Sequence, residues 1–325
     1  MRNELSTHCP RLPRISHPAR PHRHSGWAGV ACSAGAAIGF ASKGVFAKYL
    51  YAHGLDFASV LALRSLLTLP VMWAWVLWHQ GWDSLRRASS GAIAAAGLGG
   101  TVCYGFGAIL DFYALSMLDA SVERVVLFSY PSMIVLAGVL LGRGLPSGRV
   151  LLAIVLTWTG IFFTVGGFDP SLLQRNATGA GYVLICAATY AAYFLLSERY
   201  VRRIGSQQFA LYAMTAAGAV ILLLFTLRGG WAGLHVDIHA ALPLAGLVLL
   251  ATALPLFLAS EGVRRIGAQR SALVATIGPV ATMVLAALLL GERLHALQLA
   301  GSALIIIGIL VLELRRPEAA KDLAA

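Results

Sequence analysis

Charge is scarce in this chain. Of its 325 residues only 12% are charged, and 58% are hydrophobic. A soluble domain carries about 25% charged residues, so this chain is too poor in charge to cover a water-facing surface. Acidic residues are the rarest, with 14 Asp and Glu against 25 Lys and Arg. The basic excess does not form a nucleic-acid face, because the basic residues stand in short runs between apolar blocks. Nucleic acid is therefore not an expected partner. There are four cysteines, Cys9, Cys32, Cys103 and Cys186, with no CxxC spacing. The last three lie in apolar blocks and read as small buried hydrophobes, not as a disulfide framework or metal site.

Reaction motifs are missing as well. The chain has no G-x-x-x-x-G-K-[ST] nucleotide loop, no HExxH and no GxSxG, and none of its nine histidines lies deep within an apolar block. ATP is thus not the expected driver. An intramembrane enzyme is not expected, nor is any metal or cofactor.

What the chain has in abundance is long apolar runs. A helix rises 1.5 Å per residue, so a hydrocarbon core of about 30 Å needs about 20 apolar residues. Ten blocks qualify: Trp27–Lys48, Phe57–Trp78, Gly91–Phe112, Ala120–Leu141, Val150–Gly167, Gly179–Ser197, Gln208–Leu227, Ala240–Ser260, Ser271–Leu290 and Ala296–Leu314. They lack the alternation of a barrel strand, so the backbone must satisfy itself as helix. The expected fold is an all-α polytopic membrane protein of ten transmembrane helices. Residues 1–26, with four prolines, five arginines and four histidines, are expected to form a disordered basic tail and do not resemble a signal peptide. Residues 315–325 form a second tail.

The loops of a ten-span chain alternate in charge. Eighteen Lys and Arg fall on the side of the two tails and four on the other, namely Lys48, Arg175, Arg228 and Arg293. The positive-inside rule then places both termini in the cytoplasm.

The sequence also overlays on itself. With a shift of 148 residues, Ala120 falls on Ala268, Pro131 on Pro279 and Gly160 on Gly308. One residue of slippage brings Leu141-Gly142-Arg143-Gly144-Leu145 onto Leu290-Gly291-Glu292-Arg293-Leu294. Two five-helix halves, 27–167 and 179–314, are expected. An odd number of spans per half makes the second insert inverted. Inverted repeats are a transporter architecture, with the substrate site near the midplane and access alternating by rocking.

The run Phe112-Tyr113-Ala114-Leu115, with Ala120, Tyr130-Pro131 and Gly142, resembles the first EamA repeat of the drug/metabolite transporter superfamily. Ile277-Gly278-Pro279, then Leu290-Gly291-Glu292-Arg293-Leu294, Gly301 and Gly308, resembles the second, and its Gly-Glu-Arg-Leu turn is the more specific match. The first half departs from the pattern at Arg143-Gly144. The resemblance implies a secondary transporter, an exporter, that moves a small metabolite such as an amino acid or organic anion by alternating access. It implies a bacterial inner (plasma) membrane location. A sugar-phosphate or nucleotide-sugar exchanger of the same superfamily, or a non-transporting membrane sensor, is the alternative.

Ionisable residues inside a membrane are expensive and mark candidate pathways. Here they are Lys43, Arg64, Asp111, Glu123 and Arg124, all in the first half; their repeat counterparts Phe194, Met214, Ala259, Ser271 and Ala272 are uncharged. Arg64, about two turns inside its helix, is the leading candidate to meet a substrate carboxylate, or else to pair with Asp111 or Glu123. Asp111 or Glu123 is a candidate carrier of a coupling proton. Gly97, Thr101, Tyr104, Ala108 and Asp111 are spaced 4, 3, 4 and 3 apart, which puts them on one helical face, either a cavity wall or a packing seam. Pro131 and Pro279 occupy matching places and read as hinge or gate points or as inherited bends. Tyr190 and Tyr193 read as a stacking surface or core packing, and Trp73, Trp75 and Trp78 as an interfacial belt.

Overall fold

The computed structural model describes residues 23–86, 88–142, 146–293 and 295–313, and all regular structure among them is helical. The expected tails therefore lie largely outside the described residues, as do Arg87, the Arg143-Gly144-Leu145 turn and Leu294. Among the described residues, nine helices are long and apolar enough to cross a membrane: α1 (Trp27–Ala52), α2 (Phe57–Asp83), α3 (Ser90–Met117), α4 (Ala120–Leu140), α5 (Gly148–Val165), α6 (Pro170–Ser197), α7 (Ser206–Leu227), α8 (Ile238–Ile266) and α9 (Leu273–Leu290). The last apolar helix, α10 (Ala296–Val311), is shorter.

The α6 helix starts nine residues before the expected Gly179, because its polar first turns are capped. Asp169 Oδ1 accepts from the backbone N–H groups of Ser171 (2.9 Å) and Leu172 (3.3 Å), and Pro170 occupies the first turn, where its missing N–H costs nothing. The Ser171 hydroxyl and these amides hold the Asp169 carboxyl below the ordinary carboxylate range.

The molecule is polar within and apolar without. Leu140, Leu242 and Leu288 are 88%, 81% and 76% exposed, whereas Lys43, Arg64, Asp111 and Glu123 are buried. That distribution suits a solvent of lipid tails. In such a solvent helices associate by close packing at small residues. A Cβ on Gly160 of α5 would lie 2.6 Å from the Gly301 carbonyl of α10, and one on Gly301 would lie 2.6 Å from the Gly160 carbonyl. On α1, Gly39 meets Pro255 and the Leu250 carbonyl of α8. On α3, Gly100 lies against the Ala213 backbone of α7, and Gly107 against the Thr189 hydroxyl of α6.

Several helices are interrupted, and the interruptions set the site. A turn at Ser42 divides α1 into Arg23–Ala41 and Lys43–Ala52. In α4 a turn at Phe128 and Ser129 separates Ala120–Leu127 from Tyr130–Leu140. The α9 helix restarts at Ile277 after Thr276. Pro131 and Pro279 thus stand in the first turn of a new helical piece and do not bend a continuous helix. Both α3 and α8 contain a π-helical stretch, Thr101–Gly107 and Gly246–Ala253. The wider π turn breaks the 3.6-residue period on which the α3 stripe depended. Gly97 therefore lies beside Ala216 of α7, Tyr104 packs on Tyr190 and Tyr193 of α6, and Asp111 meets Lys43 of α1. Trp73 also departs from the expected belt, since its half-buried indole N–H donates to Thr215 Oγ1 at 3.0 Å. Trp78 is 88% exposed, as an interfacial residue would be.

Replacing Gly160 with Val should lower the melting temperature of the detergent-purified protein, since overpacking a tight contact costs about 1–3 kcal/mol. Gly181→Ala, whose Cβ meets nothing within 4 Å, should not lower it. Thermal unfolding of the two variants against the parent checks the α5–α10 contact.

Candidate functional site

Lys43 is the first residue after the turn in α1, and its ammonium sits between α3 and α4. It donates to Asp111 Oδ2 at 2.5 Å and to Glu123 Oε1 at 3.3 Å. All three residues are buried, at 8%, 3% and 1% exposure. A charge leaves water only when paired and hydrogen-bonded, and two carboxylates on one ammonium meet that need only in part. Asp111 Oδ1 and Glu123 Oε2 are buried with no hydrogen-bond partner among the described residues.

Two arginines complete the cluster. The Arg64 guanidinium lies 5.0 Å from the centroid of Phe112, whose ring is also 5.7 Å from the Lys43 ammonium. Arg64 makes no salt bridge among the described residues, and its Nε is buried without a partner. The guanidinium of Arg124 lies 5.1 Å from the Phe128 centroid, and its Nε is likewise unpartnered. Gly278 of α9 faces this pair: a Cβ there would make a tight contact with Phe128 Cζ at 3.3 Å and an ordinary one with Arg124 Nη2 at 3.7 Å. Three cations against two carboxylates leave a formal excess of one positive charge. Thr68 Oγ1, one turn from Arg64 on the same face of α2, and Ser129 Oγ at the α4 turn are also buried and unpartnered.

An aromatic group flanks the charges. Tyr104 meets Tyr193 at 5.0 Å and Tyr190 at 6.1 Å, edge to face; Tyr130 stacks on Phe194 at 5.4 Å and approaches Tyr190 at 6.1 Å. Tyr190 and Tyr104 are electrostatic neighbours of the Arg64 guanidinium.

Of the residues expected from sequence, Lys43, Asp111 and Glu123 thus come together as one hydrogen-bonded unit, with Arg64 joined through Phe112 and Arg124 the next residue after Glu123 on α4. Tyr104 belongs to the aromatic group. Thr101 is half-buried at the far end of the π stretch, ten residues from Asp111, and has no hydrogen bond to the cluster. Pro131 and Pro279 follow the turns that bound the cluster.

Sequence reasoning gave no task to Glu292. Its carboxylate caps the N-terminus of α4: Ala120 N–H (2.7 Å) donates to Oε1, and Ser121 N–H (3.2 Å) and Ser121 Oγ (2.7 Å) donate to Oε2. Asp119, in the N-cap position, makes no side-chain cap and instead approaches Arg175 at 3.7 Å. Gly291 enables the reach. It closes α9 in the left-handed region (φ 67°, ψ 20°), and the Glu292 N–H turns back to the Ala286 carbonyl. Glycine before glutamate was the available signal; the partner 171 residues away was not. Tyr51 was also missed, its hydroxyl donating to the Phe112 carbonyl at 2.8 Å.

An all-helical bundle with apolar residues outside and charges within marks a class, the polytopic membrane proteins. Residues 27–166 and 177–314 each match the EamA-like transporter family, and the chain belongs to that family and to the drug/metabolite transporter superfamily. It is 34% identical over 288 residues to "Uncharacterized transporter YcbK" of Bacillus subtilis (strain 168), covering 87% of this chain and 91% of that protein. It is 26% identical over 216 residues to "Uncharacterized transporter sll1319" of Synechocystis sp., covering 63% of this chain and 62% of the other. A crystal structure with 18% identity superposes with a TM-score of 0.57 over 93% of this chain and 98% of the other, a likeness of fold. The protein is thus an integral membrane transporter of a small molecule, not an enzyme.

Lys43→Met should cost about 3–5 kcal/mol of stability by leaving two carboxylates buried without their cation. Adding Asp111→Asn should recover part of that loss. Melting of the single, double and parent proteins, read as a double-mutant cycle, measures the coupling.

Proposed function

We propose that the chain is a ten-span secondary transporter, built from the inverted halves 27–167 and 179–314, that exports a small anionic or zwitterionic metabolite, an amino acid or organic acid, by alternating access. The observation that carries this reading is the buried cluster with its excess positive charge and its unpartnered polar atoms. Arg64 Nε and Arg124 Nε are donors without acceptors, while Asp111 Oδ1 and Glu123 Oε2 are acceptors without donors. A carboxylate on the arginines and an ammonium or a proton on the acids would satisfy both sets. Asp111 and Glu123 are the groups available to a coupling proton. Because Lys43 is already engaged by two carboxylates, only the arginines remain for a phosphate, which favours a carboxylate substrate over a sugar phosphate.

Three features support the repeat. The family matches twice along the chain, α3 and α8 both carry a π stretch, and α4 and α9 both restart just before a proline. Loop charge supports cytoplasmic termini in a bacterial inner membrane. Reporter fusions at the two ends should therefore both read cytoplasmic; opposite readings would remove the tenth span.

Flux into proteoliposomes tests the site. Arg64→Ala should lower substrate flux by about tenfold or more, since a hydrogen bond to a charged group is worth about 1.5–3 kcal/mol. Unchanged flux in that variant for every transported substrate would refute the site, and binding without flux in the parent would identify a sensor.

A further inference from the structure

We infer that Glu292 is a latch that holds one end of the substrate site shut, and that its release from the N-terminus of α4 opens the site at that end. The inference rests on the cluster being the transported substrate's site.

Three observations carry it. First, the latch joins distant parts of the chain. The turn after α9 is bound to the first turn of α4 by three hydrogen bonds to one carboxylate. Such bonds are strong because the acceptor is charged and sits at a helix N-terminus. A second bond at the same end, Tyr49 hydroxyl to the Leu289 carbonyl at 3.0 Å, ties α1 to the last turn of α9.

Second, the pieces so tied are separate units. Lys43–Ala52 of α1, Ala120–Leu127 of α4 and Ile277–Leu290 of α9 all run from the latched end to a helix interruption, at Ser42, at Phe128–Ser129 and at Thr276. At the level of the interruptions, Thr282 Oγ1 donates to the Ala41 carbonyl at 3.1 Å, so α9 and α1 are also joined where they can turn. Hinges of this kind let short segments move as bodies.

Third, the latch is one helical turn from the site. Ala120 and Ser121 receive Glu292, and Glu123 and Arg124 follow on the same eight-residue piece. Whatever draws on Glu123 or Arg124 also pulls on the capped turn. Glu292 is thus a positioning residue that acts through α4, and the repeat counterpart of its turn carries Arg143, which cannot accept a helix N-terminus's hydrogen bonds.

One-sided cysteine labelling tests it. In full-length protein whose native cysteines are replaced by alanine, Thr68→Cys reports access to the cluster. A membrane-impermeant maleimide is applied either to the face carrying the α3–α4 loop or to the opposite face. Adding Glu292→Ala should raise the labelling rate from the α3–α4 face by about tenfold, the population shift expected on losing charge-assisted contacts, and leave or lower the rate from the other face. Ser121→Ala, which removes one of the three bonds, should give a smaller rise in the same direction and serves if Glu292→Ala does not fold. An equal rate in parent and variant, or a rise from both faces as in general loosening, overturns the latch. Labelling does not depend on flux: a one-sided rise without transport keeps the latch and rejects the transport reading, whereas Arg64-dependent flux with flat labelling rejects the latch alone.

Discussion

The contact of one ammonium with two carboxylates, in a place where water is displaced by side chains, governs the first half of this structure. Placing Lys43, Asp111 and Glu123 together needs α1, α3 and α4 to converge at one level, and each helix is irregular close to that level. The turn at Ser42 delivers Lys43, the π stretch of α3 rotates Asp111 away from Tyr104, and the turn at Ser129 ends the piece that carries Glu123. A continuous α-helix satisfies its backbone but aims its side chains by a fixed 100° step; the breaks give up some of that regularity to aim the charges.

Glycine and alanine contacts make this convergence feasible. Gly44 lies against Ala120, Gly39 against Pro255 and Gly278 against Phe128 and Arg124. In lipid these approaches replace the hydrophobic effect as the source of helix association. The same small residues that leave space for close packing leave space for large polar ones, so packing and site construction are one design problem here.

The helices were legible because lipid imposes a length and an apolar character that sequence displays directly. The five charges within the helices were legible for the complementary reason, that each is an exception to that character. Much of the geometry was not legible. The 4-3-4-3 spacing from Gly97 to Asp111 described a regular helix, and nothing local announces the π stretch that disperses those residues over three neighbours. Pro131 and Pro279 signalled interruption correctly but not its form, since a proline in the first turn of a new helix and a proline inside an old one look alike in sequence. The start of α6 was obscured by the polar Gln174, Arg175 and Asn176, although Asp169-Pro170 is a strong start signal; Asn176 is buried and donates to the Val165 carbonyl. Glu292 stood in a recognised turn, but a cap supplied across 171 residues is a tertiary fact.

The charges also fall unevenly on the molecule. Lys43, Arg64, Asp111, Glu123 and Arg124 all belong to α1–α4, and the second half contributes aromatic rings, a glycine and the Glu292 cap. Charge and support are therefore carried by different stretches of the chain. Substitutions among a few side chains of α1–α4 can alter the charge of the interior while the interlocking backbone of α6–α10 stays as it is, so the chemistry inside such a protein is free to drift faster than its mechanics.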